Sequence, residues 1–200
     1  MTIDYIHAQY PGVPVILDAK RGDIGSTATM YAKEAFERYR ADAVTVNPYM
    51  GVDSVSPFLE YADKGVIVLC KTSNPGAGDV QDIPTGNGRT YERVADLATR
   101  WNTRGNVLLV MGATFPEQLR RVRSIASDMP FLVPGIGIQG GDIEATVRNG
   151  QDSQGVGLII SSSRSILYAS SGADFAERAR DEARRLKETI NLFRGRAVNG

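Results

Sequence analysis

Six short, continuous apolar runs recur along the 200-residue chain and constrain its fold more than any other feature. The runs span residues 13–17, 43–46, 66–69, 107–110, 131–133 and 156–160. Continuous apolar sequence, in contrast to alternating sequence, is typical of strands buried on both faces of a parallel sheet. Between the runs lie helical patterns, of which 176–193 is the longest, with apolar residues three and four positions apart. The alternation predicts an α/β fold of about six strand–helix units.

The interval between the third and fourth runs is longer than one strand–helix unit needs. Its excess lies between Cys70 and about Arg89 and is rich in glycine and proline. Loops of this length are uncommon in compact domains and are often active-site lids. We therefore predict a lid here, with a disordered insertion as the alternative.

Composition excludes several classes of function. Lys and Arg together number 23 and Asp and Glu together number 23, so the formal net charge is zero. A neutral chain lacks the broad basic surface that binds nucleic acid. The single cysteine, Cys70, forms no intrachain disulfide, which fits a reducing compartment. With no apolar run near 18 residues and no secretory signal, we expect a cytoplasmic protein that binds neither membrane nor nucleic acid.

Polar residues concentrate directly after the predicted strands, in 18–23, 47–49, 71–73, 134–141 and 161–164. In (β/α)8 barrels the active site is built from the loops at these strand ends, and the last two such loops hold phosphate. Glycines in 134–141 would let backbone amides approach an anion, and Arg164 could add a bidentate contact. This arrangement predicts a phosphate site, with a purely structural turn as the alternative.

Asp18, Lys20 and Asp23 form the sharpest chemical pattern. Residues 18 and 20 of a strand point to the same side, which holds a carboxylate beside an ammonium group. An ammonium group kept protonated in this way can donate a proton to a developing carbanion. An ordinary ion pair at a barrel rim is the alternative.

Four motifs occur in one order along the chain: Leu-Asp-Ala-Lys-Arg-Gly-Asp-Ile-Gly-Ser-Thr at 17–27, Lys-Thr-Ser-Asn-Pro-Gly at 71–76, Val-Pro-Gly-Ile-Gly-Ile-Gln-Gly-Gly-Asp at 133–142 and Arg-Ser-Ile at 164–166. Together they resemble orotidine 5'-phosphate decarboxylase, in the bacterial branch with the Asp-Ala-Lys-Arg-Gly-Asp-Ile form, from about residue 5 to 193. The resemblance implies a (β/α)8 TIM barrel. It also implies decarboxylation of orotidine 5'-monophosphate to UMP in pyrimidine biosynthesis, by a cytoplasmic homodimer that needs neither metal nor cofactor.

The resemblance also implies roles for individual residues. Lys20 would protonate C6 of the pyrimidine, Asp18 would lie beside the substrate carboxylate, and Asp23 would reach into the partner's site together with Ile24 and Thr27. The other residues expected to bind substrate are Ser73 at the ring, Pro75 at the start of the closing loop, Gln139 and Arg164 at the phosphate, and Pro134, Gly140 and Gly141.

The chain departs from the family pattern at its start, where family members carry two more strand–helix units. We therefore expect a single domain over 1–200 that forms an incomplete barrel of about six units, with 1–12 as the remnant of an N-terminal helix and 194–200 as a frayed tail. Two alternatives to an active decarboxylase stay open. One is a catalytically impaired fragment that binds nucleotide phosphate, and the other is a related Mg²⁺-dependent sugar-phosphate decarboxylase or aldolase.

Overall fold

Strands and helices alternate along the chain as the apolar runs predict. The computed structural model describes residues 2–86, 88–136 and 142–195. Its six main strands are β1 (Ile16–Arg21), β2 (Ala43–Val46), β3 (Gly65–Lys71), β6 (Val107–Met111), β7 (Phe131–Pro134) and β8 (Leu158–Ser161), and two short strands are β4 (Pro84–Thr85) and β5 (Gly88–Arg89).

Helices follow most of the main strands. They are α1 (Thr2–Gln9), α2 (Gly25–Lys33), α3 (Ser56–Leu59), α4 (Gly78–Gln81), α5 (Thr90–Trp101), α6 (Pro116–Ile125), α7 (Ile143–Gly150), α8 (Arg164–Leu167) and α9 (Phe175–Phe193). A π-helical turn, Glu34–Arg38, continues α2. The helical pattern predicted over 176–193 corresponds to α9. No helix in the described part of the chain is long and apolar enough to cross a membrane.

The chain divides into two compact units. The first comprises residues 1–70 and 93–110, and its strands lie in the order β1-β2-β3-β6. β2 pairs in parallel with both β1 and β3. Val44, Val46 and Val66 are fully buried, and the ring of Phe36 meets that of Phe58 edge-on at 6.3 Å. This buried sheet positions the ends of β1 and β2, where polar residues gather.

The second unit comprises residues 71–92 and 111–200. In it β7 and β8 pair in parallel, from Phe131 opposite Leu158 to Pro134 opposite Ser161. In the same unit α7 packs against both α6 and α9. The pairing brings the carboxyl ends of β7 and β8 side by side, and these ends carry the residues predicted to bind phosphate.

Arg123 on α6 organises the opposite ends of these two strands. Its guanidinium group donates hydrogen bonds to the carbonyl oxygens of Gly150 (2.8 Å), Ser127 (3.0 Å) and Met129 (2.7 Å). Its carbon Cζ lies 3.7 Å from the centroid of the Phe131 ring. One side chain therefore ties together the end of α6, the segment before β7 and the end of α7.

The first and last strands lie further along the chain than their apolar runs predict. β1 continues through Asp18 and Lys20 because its residues alternate between exposed and half-buried, so that charged side chains lie on the exposed face. Val13, which we expected in the strand, is 53% exposed. β8 begins only at Leu158 because the preceding residues form a turn. The glycines at 155 and 157 have φ angles of 74° and 82° in that turn, a conformation that glycine favours.

The long interval before α5 has regular structure where it is described. A 3₁₀ turn, Pro75–Ala77, leads into α4, and β4 pairs with β5 in an antiparallel ladder. The alternative of a disordered insertion is therefore wrong for residues 71–86 and 88–89.

Candidate functional site

The end of β1 departs from regular pairing at the Asp18–Lys20 segment. Leu17 lies opposite Val44 and Arg21 opposite Val46, so three residues of β1 face the single residue Thr45 of β2. A bulge of this kind bends a strand and redirects its side chains. Within it Lys20 has a φ angle of 49°, in the left-handed region that side chains rarely adopt.

Asp18 and Lys20 form the ion pair that their spacing predicts. The Lys20 Nζ atom donates to Asp18 Oδ1 at 2.7 Å, and the side chains are 50% and 60% exposed for Lys20 and Asp18 respectively. Partial burial raises the pKa of Asp18, but hydrogen bonds from Lys20 and Thr45 outweigh that effect, so the pKa of the carboxyl lies below its ordinary value. The two side chains thus form an ion pair that is open to solvent at the end of β1.

Thr45 is a site residue that the sequence analysis missed. It is fully buried in the middle of β2. Its hydroxyl donates to Asp18 Oδ1 at 2.9 Å and accepts from the Lys20 backbone N–H at 2.9 Å. The only signal in the sequence is a polar residue inside the apolar run 43–46.

Asp23, Ile24 and Thr27 lie at the start of α2. The Asp23 Oδ1 atom accepts from the Ile24 backbone N–H at 2.8 Å. Ile24 is 53% exposed and Thr27 is exposed as well. Their reach into a partner's site remains a prediction.

A polar pocket of about 250 Å³ lies in the second unit, at the carboxyl ends of β7 and β8. It brings together Ser73, Pro134 and Arg164, which the sequence analysis predicted from three separate stretches. The rest of its lining is Gly135, Ile136, Ser161, Ser162, Ser163 and Ser165. Hydroxyl groups and a guanidinium group around a small cavity suit the binding of an anion.

Two hydrogen bonds and one close backbone approach shape this pocket. The Ser162 hydroxyl donates to the Ile136 carbonyl at 3.3 Å and shares a 2.6 Å hydrogen bond with the Ser165 hydroxyl. Gly112 lies against Ser73, because a Cβ atom at position 112 would fall 3.0 Å from the Ser73 backbone nitrogen. A side chain at position 112 would therefore press on Ser73 at the edge of the pocket.

Part of the predicted phosphate site lies outside the described residues, namely Gln139, Gly140 and Gly141. The helix that follows begins at Ile143, and Asp142 caps it by accepting from the Ala145 backbone N–H at 3.1 Å. That amide is therefore already bonded to a carboxylate.

A buried ion pair secures the segment that contains Pro75. Lys71 is 2% exposed, and its Nζ atom donates to Asp82 Oδ2 at 2.9 Å. Beside it, Gln81 accepts from the Thr72 backbone N–H at 2.9 Å and donates to the Thr72 hydroxyl at 2.8 Å. The start of the predicted lid is thus joined to residues 81 and 82, within the same segment, by two adjacent contacts. The sequence analysis identified neither contact.

Within residues 2–86, 88–136 and 142–195, no three His, Cys, Asp or Glu side chains are grouped so as to hold a metal ion.

Comparisons with known proteins agree with the resemblance carried by the motifs. A profile of the family described as orotidine 5'-phosphate decarboxylase / HUMPS matches residues 1–179. The chain is 63% identical over 193 residues to the orotidine 5'-phosphate decarboxylase of Ralstonia nicotianae, covering 96% of this chain and 71% of that protein. It is also 63% identical to the Azoarcus enzyme of the same name, over 96% of this chain and 72% of that protein.

Solved structures show the same likeness. Leishmania donovani OMP decarboxylase matches with a TM-score of 0.83 and 43% identity, over 94% of this chain and 73% of that one. Leishmania donovani UMP synthase matches with a TM-score of 0.86 and 47% identity, over 96% of this chain and 42% of that one. The predicted α/β fold of the TIM-barrel class is confirmed by these neighbours and by the six strands described above.

Proposed function

Since the chain belongs to the orotidine 5'-phosphate decarboxylase / HUMPS family, we propose that it converts orotidine 5'-monophosphate to UMP and CO2 in pyrimidine biosynthesis. The observation that carries the proposal is the 63% identity to proteins of that name over 96% of the chain. The intact Asp18–Lys20 pair supports it, because the reaction requires a fixed positive charge and a proton donor.

The chemistry assigned to Lys20 follows from charge. The bond between C6 and the carboxylate carbon breaks, its electron pair stays on C6, and CO2 leaves. The Lys20 ammonium group stabilises the developing carbanion and then gives its proton to C6, after which water reprotonates the amine. Stabilisation by a charge already in place needs little reorganisation, and the 2.7 Å hydrogen bond to Asp18 supports such a fixed position.

Asp18 acts on the substrate carboxylate. Its low pKa keeps it ionised at neutral pH, so it repels a second carboxylate placed beside it. That repulsion disappears as CO2 departs without charge. Asp18 therefore raises the energy of the bound substrate more than that of the transition state.

The pocket of the second unit is assigned to the phosphate end of the nucleotide. Arg164 can offer paired N–H donors to a phosphate. Ser162 and Ser163, which line the same 250 Å³ cavity, can offer hydroxyl groups. Gln139, with Gly140 and Gly141, is assigned to the same phosphate, and Ser73 is assigned to the pyrimidine ring. Pro134 is assigned to substrate binding in general. Binding energy from the phosphate can be used to close the segment that begins at Pro75.

The active form is proposed to be a cytoplasmic homodimer. Ile24 and Thr27 are exposed beside Asp23, which supports their contact with a second copy of the chain. Sedimentation velocity of the purified chain tests this assembly, and a monomer at micromolar concentration would contradict it.

The proposed activity is tested by incubating the purified chain with orotidine 5'-monophosphate in the presence of EDTA and measuring UMP by chromatography. We expect UMP to form in the wild type and with Lys33→Ala, an exposed control on α2, and not with Lys20→Ala. Tight binding of UMP without turnover would show the impaired fragment instead. Loss of turnover in EDTA would show a metal-dependent relative.

A further inference from the structure

We propose that Thr45 is a positioning residue for the decarboxylation, acting through both Asp18 and Lys20. This inference rests on the proposed function. Thr45 is fully buried, and its hydroxyl lies between the two residues assigned to the chemistry. Because it is buried in the middle of β2, it acts on the reaction only through those neighbours.

The Thr45 hydroxyl makes two bonds that its chemistry allows at once. It donates its single proton to Asp18 Oδ1 at 2.9 Å, and one of its lone pairs accepts the Lys20 backbone N–H at 2.9 Å. One oxygen atom is therefore bonded both to the carboxylate of Asp18 and to the main chain of Lys20. Moving that oxygen would move both groups.

The second bond meets a need created by the bulge in β1. Between the pairs Leu17–Val44 and Arg21–Val46 the regular ladder is interrupted, and Lys20 has a φ angle of 49°. This left-handed conformation is less stable by about 1–2 kcal/mol for a residue with a side chain. The Thr45 hydroxyl supplies an acceptor for the Lys20 N–H in place of a strand carbonyl, and so stabilises the backbone that aims the Lys20 side chain.

The first bond fixes the rotation of the Asp18 carboxylate. Asp18 Oδ1 receives both the Thr45 hydroxyl and the Lys20 Nζ atom, at 2.9 and 2.7 Å. The buried hydroxyl is the stiffer of the two donors, because the Lys20 side chain is long and half exposed. Thr45 thus determines where Oδ1 lies, and Oδ1 in turn determines where the ammonium group rests before substrate binds.

The test compares three variants of the full chain. Thr45→Val keeps the shape and the branched Cβ atom but removes the hydroxyl. Thr45→Ser keeps the hydroxyl. Thr146→Val is a matched control, because Thr146 is also fully buried and its hydroxyl has no hydrogen-bond partner among the described residues.

Thr45→Val is expected to lower kcat about tenfold and to leave KM within about twofold, since a loss of alignment acts mainly in the transition state. Thr45→Ser should restore most of kcat, and Thr146→Val should not change it. If the valine variant does not fold, Thr45→Ala removes the same hydroxyl without placing a second methyl group in the buried site. Equal kcat values for Thr45→Val and wild type, or equal losses in Thr45→Val and Thr45→Ser, would overturn the proposal.

A measurement without substrate separates this inference from the proposed activity. Hydrogen exchange of the Lys20 backbone amide, followed by NMR, should be faster in Thr45→Val and unchanged in Thr45→Ser. Unchanged exchange in the valine variant would refute the positioning role even in a chain that decarboxylates. Altered exchange in a chain that yields no UMP would refute the activity and leave the contact established.

Discussion

Arg123→Met is the substitution whose effect on folding the structure defines most clearly. Arg123 bonds to the carbonyl oxygens of Gly150, Ser127 and Met129 and stacks on the Phe131 ring. Methionine preserves much of the apolar stem but leaves those carbonyls without their donor. All of these contacts lie at the amino-terminal ends of β7 and β8, away from the pocket at their carboxyl ends.

The expected magnitude is the balance of two opposing effects. Each hydrogen bond from a charged donor contributes about 1.5–3 kcal/mol. Against this, burial of the guanidinium group is unfavourable and lowers the pKa of Arg123 to about 10. We expect a net loss of about 3 kcal/mol in the free energy of unfolding, or a fall in Tm of about 6–12 °C for a chain of this size.

The assay is thermal unfolding by circular dichroism, with Arg120→Met as the control. Arg120 lies on the same helix, is 70% exposed and pairs only with the surface residue Glu117 among the described residues, so its variant should shift Tm by less than about 2 °C. Well below Tm, Arg123→Met should bind inorganic phosphate as the wild type does. Equal Tm losses in the two variants, or no loss in Arg123→Met, would refute the reasoning.

Three further outcomes are expected. Lys71→Met removes the buried cation that pairs with Asp82 at 2.9 Å and leaves the exposed Arg89 at 4.0 Å, so trypsin should cleave after Arg89, the tryptic site that remains within residues 71–92, about tenfold faster, measured by mass spectrometry; an unchanged rate would contradict the role of the pair. Arg164→Ala should raise KM about 10–100-fold with a smaller effect on kcat, whereas Arg184→Ala, exposed on α9, should change neither; similar KM values for both would remove Arg164 from the phosphate site. Burial raises the pKa of Asp42, but hydrogen bonds and nearby cations outweigh that effect and lower the pKa below its ordinary value. The ionised Asp42 therefore stabilises the folded chain above about pH 3.9, and this contribution to the free energy of unfolding is lost as pH falls through the folded pKa. The Tm of Asp42→Asn should therefore lie below that of the wild type at pH 7, and the gap should narrow as pH falls below about 3.9, whereas a constant gap would contradict this.

Residues whose environment is set by local pattern were predictable from the sequence. The apolar run 43–46 coincides with β2, and the period of 176–193 coincides with α9, because burial imposes those patterns directly. Asp18 and Lys20 were predicted as neighbours from the alternation of a regular strand, and both are exposed in β1, but the bulge between them and β2 has no signal in the sequence. Ser73, Pro134 and Arg164 were predicted together because parallel strands bring their carboxyl ends to one edge.

Residues whose roles depend on distant contacts were not predictable in this way. Thr45 sits in an apolar run and gains its role only from the bulge in a neighbouring strand. Arg123 resembles any other arginine on a polar helix until its carbonyl partners are known. The pairing of Lys71 with Asp82 depends on α4, a four-residue helix too short to give a periodic signal.

Gly112 limits how this chain can vary. Any side chain at that position would press on the Ser73 backbone nitrogen, on its Cβ atom and on the main chain of Thr72. Because all of these atoms belong to the segment that enters the pocket, even a methyl group would shift the residue assigned to the pyrimidine ring. Among random codons at position 112 in a genetic selection for pyrimidine prototrophy, glycine should be enriched over every residue with a side chain, although glycine itself offers no functional group to the reaction.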